Sequence, residues 1–539
     1  MERTPTDALS NRAKSTDNIG VWVGKRELDA FLRYRDAING EHAEDALLAA
    51  AERADSDRFR PDSAQLTELT NIYFKKVNPI LPIVDEQEFR RVHAAGHVPE
   101  PFVHALCLVA AKDGEAQPFL RSNDSATSIS PRDFCHKLHA SVKSALTSST
   151  RYDKTTLVRM LALVSLHNEG ADGAEVASMH LSQAIHHAQT MGLQLGQQAD
   201  LSASDGLPMK LLFWCLWTLD RFNAASAGRP LLMADNDIAI ETFTPGESRY
   251  PAFEILFCIA GMLNDAISFY RPGNAPTVTG WEDNFPSFEE VVDRLYGSQL
   301  SSSLLATLHV AYLAVAILSH RSKGIKDYQS STSSHVRQSL AVIKVVRLMD
   351  SERLNTLHPL HILPYTASLT MAVVYKQLRQ VRFDHQREDA RSDFEACCRI
   401  LKNLRRTWKS VDVMAALAQK VLDEVHRAPN LRVTQADSSV ARRAQAVTAP
   451  LLPSAGGEEV DLSQMQADPK HAAADNSIAY VDDGAVDRGD PIDHQIDSNL
   501  LEGMDDIFGT YLDPNYPVNL EDLSFLEDLD TVDWNTGNL

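Results

Sequence analysis

Cysteine is scarce in this chain: six occur in 539 residues, and two of them, Cys397 and Cys398, are adjacent. That is too few for a disulfide framework, and a reducing compartment is the expectation. Cys107, Cys135, Cys215 and Cys258 are too widely separated for the paired C-x2-C spacing of a structural zinc site. Positive charge is in deficit, with 52 Lys and Arg against 73 Asp and Glu, a net −21. Such a balance excludes a nucleic-acid binder that works by bulk electrostatics, because that mode needs clustered cations to displace counterions. Long apolar runs are lacking as well. The runs at Leu211–Leu219, Ile255–Leu263 and Val310–Leu318 each reach about half of the ~20 residues that span a bilayer, so they read as buried helices and no membrane partner is expected. Met1-Glu2-Arg3-Thr4-Pro5-Thr6-Asp7 has no apolar core, so no secretory signal is expected there.

Catalytic signatures are also wanting. The chain contains no G-x-S-x-G elbow, no phosphate-cradling glycine loop and no H-E-x-x-H. Glu282-Asp283 lies beside Pro286 in a loop, and Asp482-Asp483 falls in a polar stretch. Neither pair is placed on a helix to hold magnesium over an apolar pocket. His180, His186 and His187 share a helix, but only 180 and 187 fall on the same face, and packing or surface roles are expected for them. The chain is therefore read as a non-enzyme without a metal or other cofactor of its own.

What is present begins with 44% apolar residues, enough for a large core. Cores stop growing beyond roughly 250–300 residues, so more than one segment is expected. The charge is uneven. From Asp461 onward the net is −17, and the remainder carries only −4. A nearly neutral body with an acidic tail is the simplest division.

Periodicity in the body is helical. Leu66, Leu69, Ile72, Tyr73 and Val77 fall on one face of a helix that must end before Pro79. Asp85-Glu86-Gln87-Glu88 reads as a capping box opening a helix with Phe89 and Val92. Further helices are expected over Pro101–Ala111, Pro131–Leu146, Lys154–Asn168 and Val176–Met191, the last stopped by Gly192. Met209–Ala225 is apolar nearly all round and should be central. Ala252–Phe269, Phe288–Tyr296, Ser303–Ser322, Ser334–Asp350, Ile362–Arg382 and Phe394–His426 complete the set. Hairpin signals are rare. The expectation is an all-α, multi-helix domain with a disordered linker and an acidic C-terminal tail.

The divisions follow from composition. Residues 1–60 are polar, partly disordered, with a weak helical pattern at Leu28–Ala51. Residues 61–428 form the helical body. Residues 429–500, rich in Ala, Asp, Ser, Gln and Gly, cannot bury enough apolar area to offset ordering entropy and form the linker. In residues 501–539, Phe508, Leu512, Leu520, Leu523, Phe525, Leu526, Leu529 and Trp534 alternate with carboxylates, and no Lys or Arg follows Arg488. Acidic–hydrophobic alternation of this kind reads as an activation segment, with a solubilising tail as the alternative.

The strongest local signal runs from Leu211 through Trp214, Trp217, Asp220 and Arg221 to Gly228-Arg229-Pro230, then Asp235-Asn236-Asp237-Ile238. Taken alone it is a buried helix that turns at Gly228. Arg229 would sit on Asp220 or on helix-end carbonyls, and Asp235 or Asp237 would cap the next turn. Trp214, Trp217 and Met233 are expected in the core rather than around a cavity.

Taken as an ensemble, this segment resembles the middle homology region of fungal zinc-cluster transcription factors, the fungal-specific transcription factor domain. The family shows an aromatic helix ending in Asp-Arg, then Gly-Arg-Pro and an acidic, Ile-containing stretch. Leu69-Thr70-Asn71-Ile72-Tyr73-Phe74 with Asn78-Pro79-Ile80-Leu81-Pro82-Ile83 looks like the opening of that domain. Ala184–Leu193 looks like the helix before the motif, and Val373–Arg379 and Trp408–Leu422 look like its closing helices. Asp513-Pro514-Asn515-Tyr516-Pro517-Val518 suggests the cutinase and acetamidase regulators. The likeness spans about residues 65–430 plus the tail.

The sequence departs from the pattern in three places. Lys210 stands where paired basic residues often precede the aromatic helix. Gln194-Leu195-Gly196 replaces a frequent His-Arg-Asp. The family's DNA-reading part is an N-terminal cluster of six cysteines holding two zinc ions, and the first cysteine here is Cys107, inside the helical body. The resemblance therefore implies a nuclear transcription regulator, an activator or co-regulator of a metabolic or secondary-metabolite gene set. Its tail would meet transcription machinery or co-activators, and homo- or hetero-dimers are possible within the family. DNA would be contacted indirectly or through a zinc cluster outside these residues. A natural co-regulator, an upstream exon and a DNA-binding partner all satisfy that pattern. A helical interaction scaffold with no part in transcription is the alternative.

Overall fold

The computed structural model describes residues 59–122, 125–147, 152–168, 173–196, 206–270, 285–320, 333–349, 351–380 and 384–427. The expected N-terminal segment (bar its last two residues), linker and activation segment lie outside these ranges. Among the described residues there are fifteen α-helices: α1 (Ser63–Lys76), α2 (Glu86–Ala94), α3 (Glu100–Ala110), α4 (Pro131–Thr147), α5 (Lys154–Val164), α6 (Gly173–Thr190), α7 (Gly206–Ala227), α8 (Pro251–Tyr270), α9 (Phe288–Arg294), α10 (Ser302–Leu318), α11 (Ser333–Leu348), α12 (Ser351–Leu354), α13 (Ile362–Gln380), α14 (Asp384–Leu404) and α15 (Asp412–Arg427). The expected all-α class is what is observed. A two-stranded antiparallel hairpin, β1 (Arg121–Ser122) and β2 (Ser125–Ser128), interrupts it. Sequence reading missed this hairpin because its strands are too short to show alternation.

The helices pack mainly on their chain neighbours. In the first half α3 touches α1, α4 and α5; in the second α10 touches α8, α11 and α13; α6, α7 and α8 join the two in succession. One continuous apolar cluster runs through both halves, from Phe59 to Leu422. Local contacts of this kind come cheaply in chain entropy, because short loops close them.

Local chemistry sets the helix ends. Asp62 accepts from the Gln65 amide at 2.8 Å and the Gln65 side chain accepts from the Asp62 amide at 2.9 Å, a reciprocal box that opens α1. Ser287 and Glu290 do the same for α9. At α2 only half of the expected box forms. Asp85 accepts from the Glu88 amide at 2.7 Å, whereas the Glu88 carboxylate takes Arg91 at 2.8 and 2.7 Å instead of reaching back. A charged partner one turn on outcompetes a neutral amide for that carboxylate. Gly192 has φ +73° and stops the chain after α6, as its residue type predicts.

Helix boundaries differ from the sequence reading at several ends, the largest shift being the helix expected from Phe394, which begins at Asp384. The helix expected over Lys154–Asn168 ends at Val164. The helix expected over Phe394–His426 is two helices, broken between Leu404 and Asp412. At the break Trp408 takes extended dihedrals (φ −113°, ψ 114°), and its ring is buried under the Lys112 ammonium, 4.5 Å from the ring centroid. Arg132 holds the break from outside with a two-point contact to Asp412, at 3.1 and 2.7 Å, and Arg405 adds a third at 3.1 Å. Helical periodicity continues through 405–411, so only these long-range contacts mark the bend.

α8 is long and apolar enough over Pro251–Ser268 to cross a membrane by composition, but 61% of that window is buried inside the protein. It packs between α7 and α10 as a core helix. Counting uninterrupted runs overlooked it because Asn264 and Asp265 break the pattern near its end.

Candidate functional site

The motif singled out in the sequence is built on α7. Every residue from Leu211 to Phe222 is buried, so this helix is surrounded on all sides as its composition predicts. Trp214 and Trp217 stack edge-on at 5.7 Å, and both meet Phe257 of α8, at 5.0 and 5.2 Å. Each indole keeps a polar partner: Trp214 Nε1 donates to the Glu241 carbonyl at 3.2 Å and Trp217 Nε1 to Asp235 Oδ1 at 2.9 Å. The two tryptophans are core, as expected, with their N–H groups aimed at the returning loop.

Gly228-Arg229-Pro230 ends the helix. Gly228 has φ +60°, and the Arg229 amide donates to the Ala224 carbonyl at 3.0 Å. That is the six-to-one closure of a Schellman stop, with glycine at the one position that needs the left-handed conformation. Pro230 cannot continue a helix. The chain therefore reverses, and residues 231–237 run back beside the last turns of α7.

The reversal brings a charge set together. Arg221, fully buried, donates to Asp220 at 3.1 Å, to the Met233 carbonyl at 2.8 Å and to Asp235. Its guanidinium carbon stands 4.0 Å over the Trp217 ring. The Asp220 carboxylate also accepts the amides of Leu232 and Met233, at 3.1 and 3.0 Å. Asp235 takes Asn264 of α8 at 3.2 Å. Burial raises the Asp220 pKa, while the Met233 amide and Arg221 pull it back toward the ionised form. The sequence reading left Arg229 on Asp220 or on helix-end carbonyls; the structure puts Arg221 on Asp220. Arg229 and Asp237 are exposed, and Arg229 contributes its backbone to the stop. Adjacent Asp220 and Arg221 were not an obvious pair, since neighbours on a helix point apart by about 100°. They meet because the 231–235 loop supplies a common floor.

With its carboxylates and guanidinium engaged on one another and on backbone, the cluster clamps a turn. Asp235 stays half exposed at its rim. The concavity lined by Lys112, Arg132, His167 and Trp408 has about 20 Å³, room for about one water. His180 of α6 meets His139, ring centroids 6.4 Å apart, and not His187; His139 meets His167 at 4.9 Å. His180 is pushed down to about 4 by burial and by His139. No group of three His, Cys, Asp or Glu side chains among the described residues could hold a metal ion. All six cysteines are free, and Cys107, Cys135, Cys215 and Cys397 serve as buried core filler. Burial pushes the Cys107 thiol up to about 12 and away from reactivity.

The helical order and the α7 turn are the setting for the comparisons with known proteins. The model of the fungal specific transcription factor domain matches residues 70–405. The chain belongs to that family. The cutinase transcription factor 1 alpha of Fusarium vanettenii is 26% identical over 188 residues, 34% of this chain and 20% of that protein. The match thus spans about a fifth of that relative's length. No solved structure matches. The matched span holds the whole α7 motif.

Proposed function

We propose that this chain is a nuclear transcription regulator, an activator or co-regulator of a metabolic or secondary-metabolite gene set, and not an enzyme. Its helical body, 61–428, would set when the acidic end, 501–539, is available to transcription machinery or co-activators. The supporting observation is the pairing of two features in one chain: a family match over 70–405 and, beyond it, a segment with ten carboxylates, interleaved Leu, Phe, Tyr and Trp, and no cation after Arg488. Carboxylates keep the apolar side chains in water and hasten encounter with basic partner surfaces, and the apolar groups then enter a groove as a short helix. Leu520, Leu523, Phe525, Leu526 and Leu529 are the proposed contact face.

DNA would be met through another protein or through a zinc cluster outside these residues, since no cysteine precedes Cys107 in this sequence. The test is a reporter assay. Residues 500–539 fused to a neutral DNA-binding module should activate transcription, and Phe525→Ala with Leu526→Ala should abolish most of it. A fusion that is silent, or indifferent to those substitutions, refutes the activation role and leaves the scaffold reading. The purified chain alone should not protect a defined duplex at moderate salt; sequence-specific protection would refute indirect contact.

A further inference from the structure

The concavity at the break between α14 and α15 is walled by four separate parts of the chain. Lys112 lies just beyond α3, Arg132 at the start of α4, His167 beyond α5, and Trp408 and Lys409 in the break itself. Its charged lining residues are Lys112, Arg132 and Lys409, all cations, and no carboxylate lines it. The chain as a whole carries −21, so this spot runs against its composition.

The cations are held in place. Lys112 is buried, and its ammonium donates to the Leu166 carbonyl at 2.9 Å and stands 4.5 Å over the Trp408 ring; neither of those partners is charged. Arg132 donates to Asp412 at 3.1 and 2.7 Å and to the Arg405 carbonyl at 3.1 Å. Asp412 is itself shared with Arg405. Lys409 is exposed at the rim, where Asn168 and Thr407 add half-buried polar donors. Three lining cations against the one carboxylate behind them leave two positive charges at the site. Desolvating a cation is costly, and an anion brought against it recovers part of that cost.

Size and charge select the ligand. With about 20 Å³ inside, the concavity admits one oxygen atom, and the rest of an oxyanion stays at the rim beside Lys409. A phosphate group carries about −1.5 to −2 near pH 7 and matches two positive charges, whereas a carboxylate carries only one. The phosphates of a DNA duplex call for another arrangement, with cations spread along a surface to meet several of them together. Here the cations converge on one point. We propose that this concavity binds the phosphate group of a small molecule, either free phosphate or the terminal phosphate of a phosphorylated metabolite. A bound phosphate ties Lys409 and the break to the ends of α3 and α4, beside the Arg132–Asp412 contact.

The test titrates the full chain with inorganic phosphate and with glycerol 3-phosphate, at constant ionic strength, by isothermal calorimetry. At least one of them should show a single saturable site. Lys409→Glu, a change at the exposed rim, should weaken it at least tenfold. Lys344→Glu makes the same charge change on α11 and should leave it within twofold. Amide hydrogen exchange across Thr407–Asp412 should slow when the probe binds, and should not respond in Lys409→Glu. Tighter binding of inorganic phosphate assigns the free ion, and tighter binding of glycerol 3-phosphate assigns an ester; either supports the site. No saturable binding of either probe, equal losses in the two variants, or unchanged exchange would each overturn the proposal. Displacement of the probe by a random short duplex at equal phosphate concentration would also overturn it, by making nucleic acid the ligand.

Discussion

The turn after α7 and the outer face of α11 invert the usual rule in opposite senses. At the turn the protein buries charge: Arg221 and Asp220 are both wholly buried. On α11 it exposes apolar side chains: Leu340 is 61% exposed. Buried charge is tolerable only when each polar atom finds a partner, and Asp220 receives two amides and a guanidinium. Exposed apolar surface needs no such compensation and leaves the fold nearly indifferent to its identity. The first region is thus fixed by the fold, and the second is left open by it.

The sharpest way to break this contrast is to remove one charge at the turn. Arg221→Met leaves Asp220 buried without its cation and should lower unfolding free energy by about 3–5 kcal/mol, read by urea denaturation. Asp220→Asn with Arg221→Met should cost clearly less than the two single changes together, because no uncompensated charge remains. A double change as costly as that sum would mean the pair is not coupled.

A smaller effect is expected at the stop itself. Gly228→Ala forces a side chain into the left-handed region at φ +60° and should cost about 1–2 kcal/mol by the same measurement. Pro230→Ala should cost less than that, since Gly228 already ends the helix.

Acid should separate the regions next. His320 is buried, and desolvation together with its neighbour His335 pushes it down to about 4, from an unfolded value near 6.5. A depressed folded value means the unfolded chain binds the proton first. The stability it contributes is therefore complete above about pH 6.5 and is lost as pH falls toward 4. Melting temperature should decline over that window, and His320→Gln should shallow the decline. A fully parallel pH profile in that variant would exclude His320 as a source.

The smallest effect belongs to α11. Leu340→Gln, on that exposed face, should change unfolding free energy by no more than about 0.5 kcal/mol. A loss of 2 kcal/mol or more would place Leu340 in the packed body and erase the comparison.

Much of the fold was legible because helices are read from local periodicity. The i, i+3, i+4 spacing of Leu69, Ile72 and Tyr73 places α1, and Gly192 and Gly228 announce their stops by residue type. The hairpin at Arg121–Ser128 and the bend at Trp408 were not legible. The hairpin's strands are too short to show alternation, and the bend is set by a partner distant in sequence, Arg132 on Asp412. At the α7 motif the residues were legible but the partner of Asp220 was left open, and it is Arg221. Arg229 looked available to Asp220, yet the Schellman closure turns its side chain outward while its amide serves the helix end.

The sequence alone determined that this chain is helical, that a nearly neutral body is joined to an acidic end, and that Trp214 to Asp237 is its most distinctive stretch. Those properties follow from residue type and spacing along one chain. Tertiary structure alone decided which arginine is buried with Asp220 and which face of α11 stays uncovered. Both depend on what other segments bring to within a few ångströms, where desolvation and hydrogen bonding, rather than propensity, select the arrangement.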